Sequence, residues 1–265
     1  PKFTQNLWYA TDDDGLAALV FAPCSVTATV ADGVKVEIKE DTFYPFDETV
    51  KMTVNFPDKK VKSAYFPLKF RIPGWCEAPV VTVNGEPVEM NMAAGTVVSL
   101  RRTWNKGDVV SVELPMKITH SRWYDNSIAI ERGPLVYALR MEEKWERKEM
   151  EPEKQVQYGP YYYEVTSPTK WNWCITRESL MNFDEAFQLV RKDVDRNLYP
   201  WNLENAPLSI HVKAKELLDW DESRGSASQI CFSTQWSNDT GEEAMIELIP
   251  YGCTTLRIAL FPERW

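Results

Sequence analysis

The dominant period of this sequence is two residues. Residues 25–30 read S-V-T-A-T-V, with Val26, Ala28 and Val30 on one side, and residues 34–39 alternate just as cleanly. Successive side chains of a strand point to opposite faces, so such runs describe half-buried strands and not helices. Turn chemistry agrees. Asp32-Gly33 separates those two runs, and Asn84-Gly85 separates 80–83 from 86–90. Asn and Gly tolerate the positive φ that both central residues of a type I′ hairpin turn require. Residues 49–56 and 63–72 add two strands, and 97–100 is expected to pair with 108–114 across Lys106-Gly107. The spacing predicts a sandwich.

The second half repeats the style without repeating the sequence. Strands are expected at 127–130 and 134–141 around Gly133-Pro134, and at 208–215, which alternates over eight residues. Residues 245–249 and 255–260 frame Pro250-Tyr251-Gly252 as a closing hairpin. Phe183, Phe187, Val190 and Val194 sit at helical spacing, yet Phe187, Leu189 and Arg191 alternate, and a strand over 186–192 is the preferred reading. From 142 to 154, ten of 13 residues are charged and Pro152 interrupts any helix, which predicts a solvated loop. No Gly/Ser linker appears. The expectation is all-β with little or no helix: two antiparallel β-sandwich domains, 1–116 and 117–265, packed together.

Composition removes several functions. A net charge of −9 argues against a nucleic-acid partner, because phosphate contact needs clustered Lys and Arg. The longest apolar runs, such as 16–22, fall far short of the roughly 20 residues that span a bilayer, so no membrane segment is expected. The five cysteines (Cys24, Cys76, Cys174, Cys231 and Cys253) are scattered without a C-x-x-C pair, which fits buried thiols better than a disulfide framework or a zinc site. The chain opens Pro1-Lys2-Phe3 with no Met and no leader pattern. It reads as an excised or processed piece whose compartment, cytoplasmic or periplasmic, is not set by these residues.

A search for chemistry finds little. There is no G-x-S-x-G, no G-x-G-x-x-G and no Walker sequence, and His120 and His211 are too few and too separated for a metal triad. Catalytic, cofactor and metal residues are therefore expected to be absent from this chain. Asp12-Asp13-Asp14-Gly15 has the grammar of a turn, with Asp accepting local backbone bonds. Glu131, beside Arg132, is expected to form a local ion pair. Asp219-Trp220-Asp221 sets two carboxylates around an indole, the pattern of a sugar subsite, against the plainer reading of a strand-end loop. Trp75, Trp104, Trp171 and Trp173 are more simply explained by core packing than as sugar platforms. Asn238-Asp239-Thr240 matches a glycosylation sequon, a short and weakly specific motif.

Six strings occur in order: Leu7-Trp8-Tyr9-Ala10-Thr11, Phe70-Arg71-Ile72-Pro73-Gly74-Trp75, Val83-Asn84-Gly85-Glu86, the segment 102–108 (R-T-W-N-K-G-D), the segment 130–138 (I-E-R-G-P-L-V-Y-A) and the segment 248–257 (L-I-P-Y-G-C-T-T-L-R). Together they resemble the C-terminal half of glycoside hydrolase family 127 and its relatives, once grouped as domain of unknown function 1680, over about 3–261. The resemblance implies β-L-arabinofuranosidase-like enzymes, found in bacteria, whose catalysis lies in an N-terminal barrel of helical hairpins. There a cysteine nucleophile sits near a thiolate-bound zinc, with a glutamate partner. The family's vicinal cysteines precede a segment like Pro1 to Trp8, and none of the cysteines here matches them. Zinc is then expected only in that barrel, and no catalytic residue is transferred.

This reading makes the chain a non-catalytic support for the barrel of the same polypeptide. A homodimer contact and a bound carbohydrate are the further partners it allows. Phe3, Leu7, Trp8 and Tyr9, next to the barrel, are the expected interdomain or association surface. Two rivals remain: a carbohydrate-binding module using exposed Trp and Tyr, and an assembly domain unrelated to sugars.

Overall fold

The computed structural model describes residues 2–31, 33–229 and 240–264. The Asp32 half of the first turn, Cys231 and the sequon's Asn238-Asp239 lie outside them. The chain divides into two compact units, Pro1–Lys117 and Ile118–Trp265. It is all-β: the four α-helices among the described residues run no longer than five residues.

The first unit holds two sheets. One has the order β1 (Trp8–Ala10), β2 (Leu16–Ala18), β6 (Ser63–Arg71), β9 (Val97–Asn105), with β2 and β6 parallel. The other runs β3 (Cys24–Val30), β4 (Val34–Thr42), β5 (Thr49–Asn55), β10 (Val109–Glu113), β7 (Val80–Val83), β8 (Glu86–Pro87). Alternation does what it should. Val36 and Ile38 of β4, Val50, Met52 and Val54 of β5, and Phe66, Leu68 and Phe70 of β6 meet in one buried core. Asn84 (φ 54°) and Gly85 (φ 87°) close the β7–β8 hairpin in the left-handed conformations the sequence suggests.

The expected pairing across Lys106-Gly107 does not form. β9 lies along β6 in one sheet, whereas β10 lies between β5 and β7 in the other. The buried Asp108 explains the crossing, since its carboxylate accepts the Asn105 N–H (2.8 Å) and the Asn84 amide (3.0 Å). The Gly107 N–H meanwhile bonds to the Val54 carbonyl (2.8 Å), drawing the chain onto the second sheet. A turn signal fixes a turn; it does not fix the partner.

The second unit is organised on one eight-stranded sheet. Its strands are β11 (Ile118–Arg122), β12 (Ile128–Arg132), β13 (Leu135–Leu139), β21 (Thr240–Pro250), β18 (Leu208–Leu217), β16 (Trp173–Thr176) and β22 (Glu263–Arg264) in that order, with β17 (Gln188–Arg191) also against β18. Two small hairpins accompany it: β14 (Lys144–Glu149) with β15 (Tyr161–Thr166), and β19 (Glu222–Ser223) with β20 (Ser226–Ala227). The strand preferred over 186–192 is present as β17, preceded by short helices at Arg177–Met181 and Phe183–Ala186. Glu131 accepts the Ser121 hydroxyl across the β11–β12 ladder (2.8 Å).

Two expectations are corrected. The charged run 142–154 is not a loop: Lys144–Glu149 is paired residue by residue with Tyr161–Thr166. Lys144, Glu146 and Lys148 share one face of the strand, and Trp145 shares the other with Arg147 and Glu149. The closing hairpin at 245–260 does not form either. Tyr251–Cys253 makes a 3-10 turn, and the following segment leaves β21 for the ends of β12 and β13. There Ile258 O accepts the Leu139 N–H (2.8 Å), and Phe261 bridges Ile128.

Candidate functional site

In the first unit, the inward positions of β4 are Val36, Ile38 and then Glu40, a carboxyl only 1% exposed. It accepts the Ala22 N–H (2.9 Å) and the Trp8 indole N–H (3.1 Å), with Cys24 Sγ at 3.7 Å. Burial outweighs these donors and pushes the Glu40 pKa up to about 7. Burial and the neighbouring carboxyl also raise the Cys24 thiol. A nucleophilic cysteine needs the opposite shift, so this Cys–Glu pair is not built for nucleophilic attack.

The expected association surface lies beside it and is only half available. Phe3 and Tyr9 are exposed, but Leu7 is 6% exposed and Trp8 is partly buried against the core. Pairing of β1 with β2, and the Trp8–Glu40 bond, turn those two residues inward.

The Asp219-Trp220-Asp221 pattern is also corrected. Trp220 is 3% exposed; it packs on Cys174 and Leu217, meets Trp171 edge to face at 4.9 Å, and donates its indole N–H to Ser228 O. A sugar platform needs a bare ring face, which Trp220 lacks. Asp219 is partly buried; Asp221 is exposed and its carbonyl takes the Ser228 N–H. Trp104 is fully buried and bonded to Phe66 O, and Trp173 is buried with its N–H on Lys170 O, both as core residues.

A concave site lies elsewhere in the second unit, where β14 begins. A cleft of about 490 Å³ is lined by Glu143, Trp145, Trp201, Glu204, Thr255 and Arg257 among others. Glu143 is its strut. Its Oε1 accepts the Thr254 hydroxyl (3.0 Å) and the N–H groups of Thr255 and Leu256; its Oε2 accepts the Trp145 indole N–H (3.1 Å). Burial alone would raise this carboxyl, but those donors prevail and hold it below the usual carboxylate range. It therefore stays ionised at neutral pH and cannot serve as a general acid. Arg257 donates Nε to Thr254 O (2.9 Å) and stacks on Tyr251 at 4.5 Å. Beneath them Cys253 is buried, its thiol pushed up to about 12 by that burial.

The aromatic face of the β14–β15 hairpin continues from Trp145. Trp145 meets Tyr163, and Tyr163 meets Tyr161, each edge to face at 5.7 Å, while Arg147 lies over Tyr161. Sequence reasoning missed this site because its walls come from positions 145, 201 and 257, which only the fold brings together.

The described residues do not fit the thiolate-bound zinc that the resemblance places in the barrel. Among them, no three His, Cys, Asp or Glu side chains converge to hold an ion, and the four described cysteines lie far apart in sequence. No helix among the described residues is long and apolar enough to cross a membrane.

Residues 15–116 match the family described as "Beta-L-arabinofuranosidase, GH127 middle domain". No curated protein matches the chain. Solved structures do. Ara127N, a GH127 β-L-arabinofuranosidase from Geobacillus stearothermophilus T6, aligns over 99% of this chain and 35% of its own, at 23% identity and a TM-score of 0.62. A structure described as a glycoside hydrolase aligns over 96% of this chain and 36% of its own, at 23% identity and 0.60. A GH127 β-arabinofuranosidase aligns over 96% and 35%, at 20% identity and 0.61. The chain thus spans about a third of the length of the structures it matches, and at these identities the likeness is one of fold. Residues 15–116 cover nearly all of the first unit and include the N-G and N-K-G-D turns read from the sequence. Residues 15–116 thus resemble the family 127 middle domain, and the chain shares its fold with about a third of the length of the GH127 structures it matches.

Proposed function

We propose that this chain is a non-catalytic β-sandwich region of a family-127-like glycoside hydrolase, supporting a separate catalytic barrel of the same polypeptide. The parent reaction on this reading is hydrolysis of terminal β-L-arabinofuranosides or related sugars. The observation that carries it is the match of residues 15–116 to a middle domain rather than to a catalytic one. Two local environments support it. Glu143 is locked as an ionised strut, and Cys24 is a raised thiol, so neither suits acid or nucleophilic duty. Phe3 and Tyr9, the two exposed members of the N-terminal cluster, are offered as the remaining contact surface for the barrel or for a second copy.

Expressed as residues 1–265, the protein is expected to leave 4-nitrophenyl β-L-arabinofuranoside intact, with or without added zinc. Turnover that survives repurification and disappears on replacing a single carboxylate of this chain would overturn the proposal.

A further inference from the structure

We propose that the cleft walled by Trp145 and Trp201 is a binding site for a neutral saccharide. Both indoles are set before any ligand arrives. Trp145 is tied by its N–H to Glu143 and braced edge to face by Tyr163, yet remains 54% exposed. Trp201 lies against Gly252, where a Cβ would sit 2.7 Å from the ring, so the close approach depends on glycine. Rings fixed in advance lose little freedom on binding, and an indole face matches the apolar C–H face of a sugar ring.

The charges select the ligand class. An anion would meet Glu143 and Glu204, and a cation would meet Arg257. A neutral polyol instead uses both signs. The Arg257 guanidinium has N–H donors beyond the one it gives Thr254, the exposed Glu204 carboxylate accepts, and the Thr255 hydroxyl does either. A volume of about 490 Å³ falls within the range of small-ligand clefts. This inference does not require the parent enzyme to be an arabinofuranosidase, so the hydrolysis assay and a binding assay fail separately.

The test uses the full chain labelled with 5-fluorotryptophan and followed by fluorine NMR. The probes are L-arabinose, arabinotriose, xylotriose and galactotriose, with glucuronate as the anionic comparison. At least one neutral probe should give saturable shifts confined to the Trp145 and Trp201 signals. Trp145→Ala should weaken its binding at least about tenfold, read on Trp201, and Trp145→Phe, which keeps a ring, by less. Unchanged positions for the other Trp signals certify folding; if Trp145→Ala disturbs them, Arg257→Gln takes its place with the same expected loss. The proposal is overturned if no neutral probe saturates, if glucuronate binds more tightly than every neutral probe, or if binding survives the substitutions unchanged.

Discussion

Glu40 and Asp13 are carboxyls of the same unit whose pKa values move in opposite directions, and pH can separate them. Glu40 is raised by burial from 4.5 to about 7, so the folded protein holds its proton more tightly than the unfolded chain does. Its contribution to stability is therefore fully present below pH 4.5 and is lost as pH rises through about 7. Asp13 is the reverse case. Hydrogen bonding from Lys69 (2.7 Å), with Thr11 and Arg101 beside it, lowers it to about 2, so its contribution is present above 3.8 and disappears as pH falls through 2. Urea unfolding of the wild type and of Glu40→Gln between pH 4.5 and 8 isolates the first effect. The wild type should lose about 2–4 kcal/mol relative to the variant across that window. A difference that stays flat with pH would show that Glu40 is ionised in the folded protein throughout.

At the scale of elements, the β14–β15 hairpin makes a sharp prediction for proteolysis. Its ladder runs from Lys144 to Glu149, and Lys148 is paired with Glu146 and Glu164. The tip beyond it, Pro152–Lys154 and Gln155–Tyr158, contains no buried residue. A protease needs several residues in extended form, and weakly anchored segments open first. Limited trypsin treatment should therefore cut after Lys154 before Lys144, Arg147 or Lys148, as mass spectrometry of the first fragments would reveal. Earlier cleavage at Arg147 would mean that the ladder is open in solution. The same hairpin marks where sequence reasoning stops. Strands β3, β4, β5, β6 and β18 were legible because their apolar positions alternate against one buried face. β14 was not, because none of its residues is buried and its partner, Tyr161–Thr166, offers tyrosines instead of an apolar stripe. The misplaced β9–β10 pairing and the absent 245–260 hairpin share a cause: each local turn formed, but longer-range bonds chose the neighbour. The Trp145–Trp201 cleft was illegible for a related reason, since Gly252 and Glu143 acquire their roles only when three distant loops converge.

For the molecule as a whole, the first unit should stand alone. All residues of its buried core lie between Leu16 and Leu114, and both of its sheets are complete by Glu113. Residues 1–117 expressed by themselves should give a strand-type circular dichroism spectrum and one cooperative urea transition. A gradual, non-cooperative loss of signal would show that this core relies on residues beyond 117. The register of the second unit has a consequence for biosynthesis. Its β13 pairs Tyr137 with Pro250, and β18 pairs Ile210 with Leu248, so β21 sits between the recently made β18 and a β13 made long before it. Ribosomes add roughly 5–20 residues per second, and long loops close slowly because their entropy is lost before any contact forms. A nascent chain that has passed residue 139 thus carries β12 and β13 for seconds with the β13 edge bare, while the first unit is already closed. Chaperone capture during translation should concentrate in that interval.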